Sequence, residues 1–465
     1  MRKVWEKHDL IKISGIMVLI TILLTWVIPG GYFDGTALQS EDITRVGLTN
    51  FMQYGLLGIY YFTVLVTFLF VLGGFYQLIG KSKGYQQFVK KFSDIFTGSE
   101  VIIVLLTMFL FGALNSVTNE FFPLIVFIPL VVSILSRLKV DRISTFNATF
   151  GGLLIGVLGS TLSSKVVGYI NSIFNTTATT YLAAKIVLFV LAYIGLAVFT
   201  LLRMRNVKKD SKEEYDKFAI KVSNSNPAAK SGLGYAIFFI LLFIVVILAY
   251  LPWATWGVKV FDNVTSWVNE LSLFGAPVIS YVFGNFVAFG SWDIFTIQFV
   301  LLTATILVCI FDSFSLNEVL DSYGEGFVKM GPVVITLLFV YLILEIAVMY
   351  PVVPVITDWF ATISESFSAF WNSIAIFIAS LFGVEIQYLM SLIGTYYASS
   401  FAENSGEIAL IIQMMFGLVS FFAPSSVILM LGLSYLDIPY RSWLEFIWKF
   451  LVALLLVIII IIIII

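Results

Sequence analysis

The chain has 465 residues but only one cysteine and one histidine. Cys309 alone can form no intrachain disulfide and no thiol cluster for a metal ion. His8 lies in a charged N-terminal tail, so a histidine-based zinc site or catalytic triad is not expected. An enzyme built on such groups is therefore disfavoured.

Charge is equally scarce, because Asp, Glu, Lys and Arg make up 12% of the chain and the formal net charge is −2. No basic block is long enough to suggest nucleic acid as a partner. The chain also lacks a Gly-x-x-x-x-Gly-Lys motif, so ATP-driven transport would require a partner chain.

What the chain has in abundance is apolar sequence: 60% of residues are hydrophobic and the mean hydropathy is +1.01. Several apolar runs reach the roughly 20 residues that span a bilayer, which predicts an all-α polytopic protein of the cell membrane with about ten crossings. Residues 13–28 are predicted as the first crossing and not as a signal peptide, since no small-residue cleavage site follows. The basic residues before them place the N-terminus in the cytoplasm.

Residues 101–136 have the pattern of a re-entrant hairpin. Two apolar arms of about 13–15 residues are too short to span. Basic residues flank both ends of the segment, which predicts that both ends are cytoplasmic and that the polar tip lies near mid-membrane. The polar residues of this tip are Asn115, Ser116, Thr118, Asn119 and Glu120.

Residues 144–165 are predicted to form a broken helix. Irregular backbone at membrane depth is tolerated only inside protein or beside a water-filled cavity, and discontinuous helices facing a hairpin are how secondary transporters bind solutes and ions. The residues that interrupt the apolar run here are Gly159, Ser160, Thr161 and Ser163, followed by Lys165.

The order of segments predicts an inverted repeat. Residues 1–203 form a first membrane repeat, 204–231 a hydrophilic cytoplasmic linker, 232–293 a linking helix with an external segment, and 294–465 a second repeat. The second repeat would contain a crossing at 332–350, a hairpin at 367–397 and a broken helix at 407–430. Residues 67–71 resemble residues 336–340, which lie 269 positions later in the chain (336 − 67 = 269). The same shift of 269 positions places residues 159–161 close to residues 424–426. Such repeats are typical of alternating-access carriers.

Glu120 is the strongest candidate for chemistry, because a carboxylate at mid-membrane costs roughly 2.5–3.5 kcal/mol. It could ligate Na⁺ together with Asn119 or exchange a proton, and the alternative is a carboxyl that hydrogen-bonds free amides at a helix start. The second-half counterparts of the first break are Ser425 and Ser426. Possible coupling groups are Glu345, Glu385 and Lys165, whose alternative roles are helix-end carboxylates and a snorkelling lysine.

The stretch Gly156-Val157-Leu158-Gly159-Ser160-Thr161 resembles the GVLGST signature of YfcC-type carriers, relatives of the anaerobic C4-dicarboxylate (DcuC-like) carriers in the ion-transporter superfamily. The similarity extends in order through residues 25–31, 71–75, 316–326 and 438–440. It implies exchange or import of amino acids, peptides or dicarboxylates, coupled to an ion gradient or counter-substrate. It also implies that paired hairpins and broken helices form a moving transport domain.

The second half departs from this family pattern, because the tip of the second hairpin and the last broken helix lack the expected small and polar residues. The predicted function is a secondary active transporter for a small polar metabolite, with Na⁺ or H⁺ as coupling ion and no other cofactor. An ion channel and a degenerate relative with a structural or sensing role are the alternatives. Membrane lipid is an expected partner, and a homodimer through scaffold helices is one option for assembly.

Overall fold

The computed structural model describes residues 8–162, 166–206, 215–218, 232–254, 256–272, 280–281, 284–364 and 366–464. Nearly all regular structure in these residues is helical, apart from a β-hairpin of β1 (Gly31–Asp34) and β2 (Ala37–Ser40). Eight of the described helices are long and apolar enough to cross a membrane. The prediction of an all-α polytopic membrane protein is confirmed.

Most of the described residues of the first half are helical. Its helices are α1 (Asp9–Val27), α2 (Leu48–Tyr61), α3 (Thr63–Lys81), α4 (Lys83–Ile95), α5 (Glu100–Thr118), α6 (Phe121–Ile125), α7 (Ile128–Arg137), α8 (Arg142–Phe146), a π-helical segment (Asn147–Gly151), α9 (Gly152–Leu158), α10 (Val166–Phe174) and α11 (Leu182–Asn206). We call α5 to α7 the first hairpin, and α8 to α10, with the break that begins at Gly159, the first broken helix.

The second half begins with α12 (Leu233–Tyr250). It continues with α13 (Val260–Glu270), α14 (Ile294–Asp312), α15 (Leu316–Met349), α16 (Val352–Ala361), α17 (Ala369–Ser380), α18 (Ile386–Ser400), a short 3-10 helix (Ala402–Asn404), α19 (Ser405–Ser420), α20 (Val427–Tyr435) and α21 (Tyr440–Ile464). We call α17 and α18 the second hairpin, and α19 and α20, with their break at 421–426, the second broken helix.

The first arm of the first hairpin is longer than the sequence suggested. Helix α5 has 19 residues, long enough to span, because the polar residues expected at the tip continue the helix. The Thr118 hydroxyl, for example, donates to the Leu114 carbonyl at 2.9 Å within α5. The turn itself consists of Asn119, in the left-handed conformation (φ 51°), and Glu120.

Helix α15 also differs from the predicted crossing at 332–350, because it starts at Leu316 and runs for 34 residues through Pro332. Its start is fixed by reciprocal bonds: the Ser315 amide donates to the Glu318 carboxylate at 2.8 Å, and the Glu318 amide donates to the Ser315 hydroxyl at 3.3 Å. This capping box fixes the start of α15 well before the predicted crossing.

Close helix crossings hold the molecule together. The backbones of α3 and α15 nearly touch, since a Cβ on Gly326 would lie 2.4 Å from the Gly73 carbonyl carbon. The first hairpin packs on the first broken helix, the second hairpin packs on the second, and the two broken helices cross where Gly417 meets Leu158. Small residues permit such approaches in membrane proteins, where packing replaces the hydrophobic effect between helices.

Candidate functional site

The polar residues of the first hairpin lie against the break of the first broken helix. The Ser116 hydroxyl donates to the Gly159 carbonyl at 2.5 Å, and the Thr161 amide donates to the Ser116 carbonyl at 2.8 Å. The Asn115 side-chain amide donates to the Leu153 carbonyl at 2.8 Å. Since an unmade backbone hydrogen bond is expensive in lipid, these residues are first of all partners of the break.

The second half reaches the same break through Gln413, which is 2% exposed in α19. Its side-chain amide donates to the Ser160 carbonyl at 2.8 Å and to the Leu158 carbonyl at 3.2 Å. The Ser160 side chain is fully buried, and its hydroxyl has no partner among the described residues. Gln413 was missed by reasoning from the sequence, although a single glutamine in an otherwise apolar helix was a usable signal.

The second break is tied to its surroundings in the same way. The Ser425 hydroxyl donates to the Leu381 carbonyl of the second hairpin turn at 2.6 Å. The Trp443 indole N–H of α21 donates to the Phe421 carbonyl at 2.8 Å. The Ser426 hydroxyl instead accepts from the Leu429 amide at 3.4 Å and caps α20. Ser425 therefore joins break to hairpin, whereas Ser426 remains at the edge of a cavity.

That cavity, of about 80 Å³, lies where both hairpins and both broken helices meet. Three predicted site residues line it, one from the first hairpin, one from the second hairpin and one from the second break. Tyr169 of α10, in the first broken helix, also lines the cavity. The lining residues with polar groups are Asn119, Tyr169, Glu385, Gln387, Ser420 and Ser426.

Glu385 is the only charged residue among the described lining residues. It precedes the first residue of α18, and two neighbours hold its carboxylate. The Tyr341 hydroxyl donates to Oε1 at 2.7 Å, and the Gln387 amide donates to Oε2 at 3.2 Å. Tyr341 comes from α15 and stacks on Phe62 with ring centroids 3.6 Å apart. Nothing in the sequence distinguished Tyr341 from other tyrosines in apolar helices.

The other candidate carboxylates lie elsewhere. Glu120 is half-buried and lines a smaller, separate cavity with Tyr250 of α12, so Asn119 and Glu120 face different spaces. Glu345 is 7% exposed in α15, one turn after Tyr341, and its Oε1 has no partner among the described residues. Two further predicted positions, Ser163 and Lys165, lie outside the described residues.

The fold and these contacts define a multi-pass helical membrane protein with a polar cavity at the junction of two interrupted helices. No family model matches the chain. A 299-residue stretch is 22% identical to the Escherichia coli (strain K12) protein named "Putative basic amino acid antiporter YfcC", covering 55% of this chain and 58% of that relative. The match supports the YfcC-type side of the resemblance and not the C4-dicarboxylate carriers specifically.

Among solved structures, the Alcanivorax borkumensis YdaH transporter aligns with 97% of this chain and 96% of its own, at 12% identity and a TM-score of 0.39.

Proposed function

We propose that the chain is a secondary active antiporter that exchanges a small cationic metabolite, of the basic amino acid class, by alternating access. The observation that carries this proposal is the partly open cavity lined by both hairpins and both broken helices, with the Glu385 carboxylate at its wall. Irregular backbone beside a polar cavity is what secondary carriers use to bind solutes. The YfcC name adds support for the substrate class.

The charge at the cavity favours a cation over a dicarboxylate. Glu385 offers a carboxylate already held by Tyr341 and Gln387, and no basic residue is among the described lining residues. The buried Lys185 of α11 does not line this cavity either. An ammonium or guanidinium group would form a charge-assisted hydrogen bond with the Glu385 carboxylate and would contact the face of the Tyr169 ring. The carboxylate of an acidic substrate would be repelled by Glu385.

The test is counterflow in proteoliposomes loaded with unlabelled lysine, with labelled arginine outside and an imposed pH or Na⁺ gradient as a separate variable. Arginine and lysine should exchange, while aspartate and succinate should not. Dicarboxylate exchange in place of arginine would overturn the substrate class. A current that needs no counter-substrate would indicate the channel alternative.

Glu385→Gln should lower arginine affinity by at least about tenfold, because a charge-assisted hydrogen bond contributes about 1.5–3 kcal/mol and 1.4 kcal/mol is one decade. Glu403→Gln is the matched control, since Glu403 is exposed and remote from the lining residues. Equal arginine affinity in the two variants would contradict the role of Glu385. Unchanged coupling in Glu120→Gln would show that Glu120 does not carry the ion.

A further inference from the structure

Four residues of the hydrophilic linker between the halves are inserted into the fold. Tyr215 is 7% exposed and Phe218 is 4% exposed, although both come from a stretch that the sequence describes as solvated. They lie at the end of the molecule that carries Lys81, Arg142 and Arg203, which we call the basic end. Burying two aromatic rings there stabilises one arrangement of the surrounding helices.

Tyr215 attaches this segment to the first half. Its hydroxyl donates to the Val140 carbonyl at 2.7 Å and lies 2.8 Å from the Thr145 hydroxyl. Both partners belong to the start of the first broken helix or the loop before it. Burial raises the pKa of the Tyr215 phenol, so it keeps its proton and remains a donor.

Lys217 attaches the same segment to the second broken helix. Its ammonium donates to the Ser434 carbonyl at 3.1 Å and to the Asp437 carboxylate at 3.2 Å. The Lys217 side chain is 11% exposed but Asp437 is 60% exposed, so solvent screens the ion pair and the bond to the Ser434 carbonyl is the less exposed contact. Lys217 therefore covers the end of α20, the helix that begins at the cavity.

Phe218 is placed between the second broken helix and the crossing of α3 with α15. Its ring centroid is 6.0 Å from that of Tyr76 in α3 and 6.5 Å from that of Tyr435 in α20. The Lys329 ammonium of α15 lies 5.6 Å from the Phe218 ring centroid. One short segment thus contacts the central crossing pair and both broken helices.

We propose that residues 215–218 are a latch that closes the basic end between the broken helices and the α3–α15 pair. Tyr215 and Lys217 attach the segment to the broken helices, so a transport cycle that moves these helices relative to the α3–α15 pair must withdraw Phe218 from Tyr76 and Lys329. The latch holds the conformation described here, and its release opens the cavity toward the basic end. This proposal concerns a conformational equilibrium, and only its transport arm rests on the proposed function.

The first experiment measures access to the cavity and needs no substrate. A Cys309→Ser background removes the single cysteine, and Val427→Cys places a reporter thiol at the cavity wall. Phe218→Ala and Lys217→Gln should each raise the rate of labelling by a membrane-impermeant maleimide, applied from the basic end, by about tenfold, equivalent to about 1.4 kcal/mol.

Matched surface substitutions control for nonspecific loosening. Phe370→Ala and Lys449→Gln change the same residue types at exposed positions and should leave the labelling rate at the parent value. Labelling that stays within twofold of the parent in both latch variants overturns the proposal, as does an equal rise in the controls. If Phe218→Ala does not fold, the labelling rate of Lys217→Gln alone decides whether the latch proposal holds.

A second experiment locks the latch. In the Cys309→Ser background, Phe218→Cys with Lys329→Cys, joined by a bis-maleimide with a reducible spacer, should stop exchange, and reduction of the spacer should restore it. Arg441→Cys with Glu445→Cys, one turn apart on an exposed face of α21, is the control pair and should transport normally when joined. Exchange that continues in the locked 218–329 pair overturns the latch. If the parent protein shows no exchange, that result counts against the proposed function. The latch proposal is then decided by the labelling experiment alone.

Discussion

Replacing Gly326 by alanine should separate the two helices at the centre of the molecule. An ideal Cβ on Gly326 would lie 2.4 Å from the carbonyl carbon and oxygen of Gly73 and 2.5 Å from the Gly74 amide nitrogen. Carbon atoms in contact prefer about 3.5–4.0 Å, so the backbones must move apart by about 1 Å. The atoms that the new methyl group would meet are backbone atoms of Gly73 and Gly74, which cannot move aside by a side-chain rotation. Overpacking of this kind costs about 1–3 kcal/mol.

Gly324 offers a matched control two residues earlier in the same helix. A Cβ there meets nothing within 4 Å, so Gly324→Ala should be neutral or slightly stabilising. The assay is the thermal unfolding midpoint of both variants in one detergent, with size-exclusion profiles to confirm monodispersity. Gly326→Ala should unfold about 1–3 °C below Gly324→Ala. Equal midpoints for two monodisperse variants would refute the tight crossing of α3 and α15.

Two further substitutions probe contacts at the cavity and the break. Gln413→Leu leaves the Ser160 carbonyl without its donor, so it should lower stability by about 1–3 kcal/mol and slow exchange, whereas Gln413→Glu protonated at low pH should recover part of both. Tyr341→Phe removes the hydroxyl that donates to Glu385 and should weaken arginine binding about threefold to tenfold while leaving the unfolding midpoint nearly unchanged. A Gln413→Leu protein with parental midpoint and rate, or a Tyr341→Phe protein with parental affinity, would contradict these assignments.

The polar cluster after Ala113 shows both the strength and the limit of reasoning from the sequence. The unusual density of polar side chains in an apolar stretch favoured an irregular backbone segment nearby. Their role as helix residues that satisfy a neighbouring break was not visible, because the pairing of Ser116 with Gly159 joins positions 43 residues apart. Long-range partners of this kind depend on how helices pack, which periodicity does not report.

The start of α15 has a signal in the local sequence, whereas the burial of the linker residues has none. The start of α15 carries a Ser-x-x-Glu capping box at Ser315 and Glu318, which is readable as a helix start. No sequence pattern predicted the burial of Tyr215 and Phe218, because they are two isolated aromatic residues in a charged stretch. Their burial depends on a gap that only forms once the broken helices and the central crossing are assembled.

The contacts define two groups of elements that hydrogen-bond to each other at several points, one of which is Glu385. The hairpins and broken helices satisfy one another's backbone through Ser116, Gln413 and Ser425, which binds these four elements into one group. The α3–α15 crossing forms the other group, and Tyr341 of α15 is its polar contact with the cavity wall. Because the same carboxylate would bind the substrate cation, substrate and Tyr341 share one acceptor. Occupancy of the cavity would thereby alter a bond between the two groups, which is the differential interaction that a ligand needs in order to shift a conformational equilibrium.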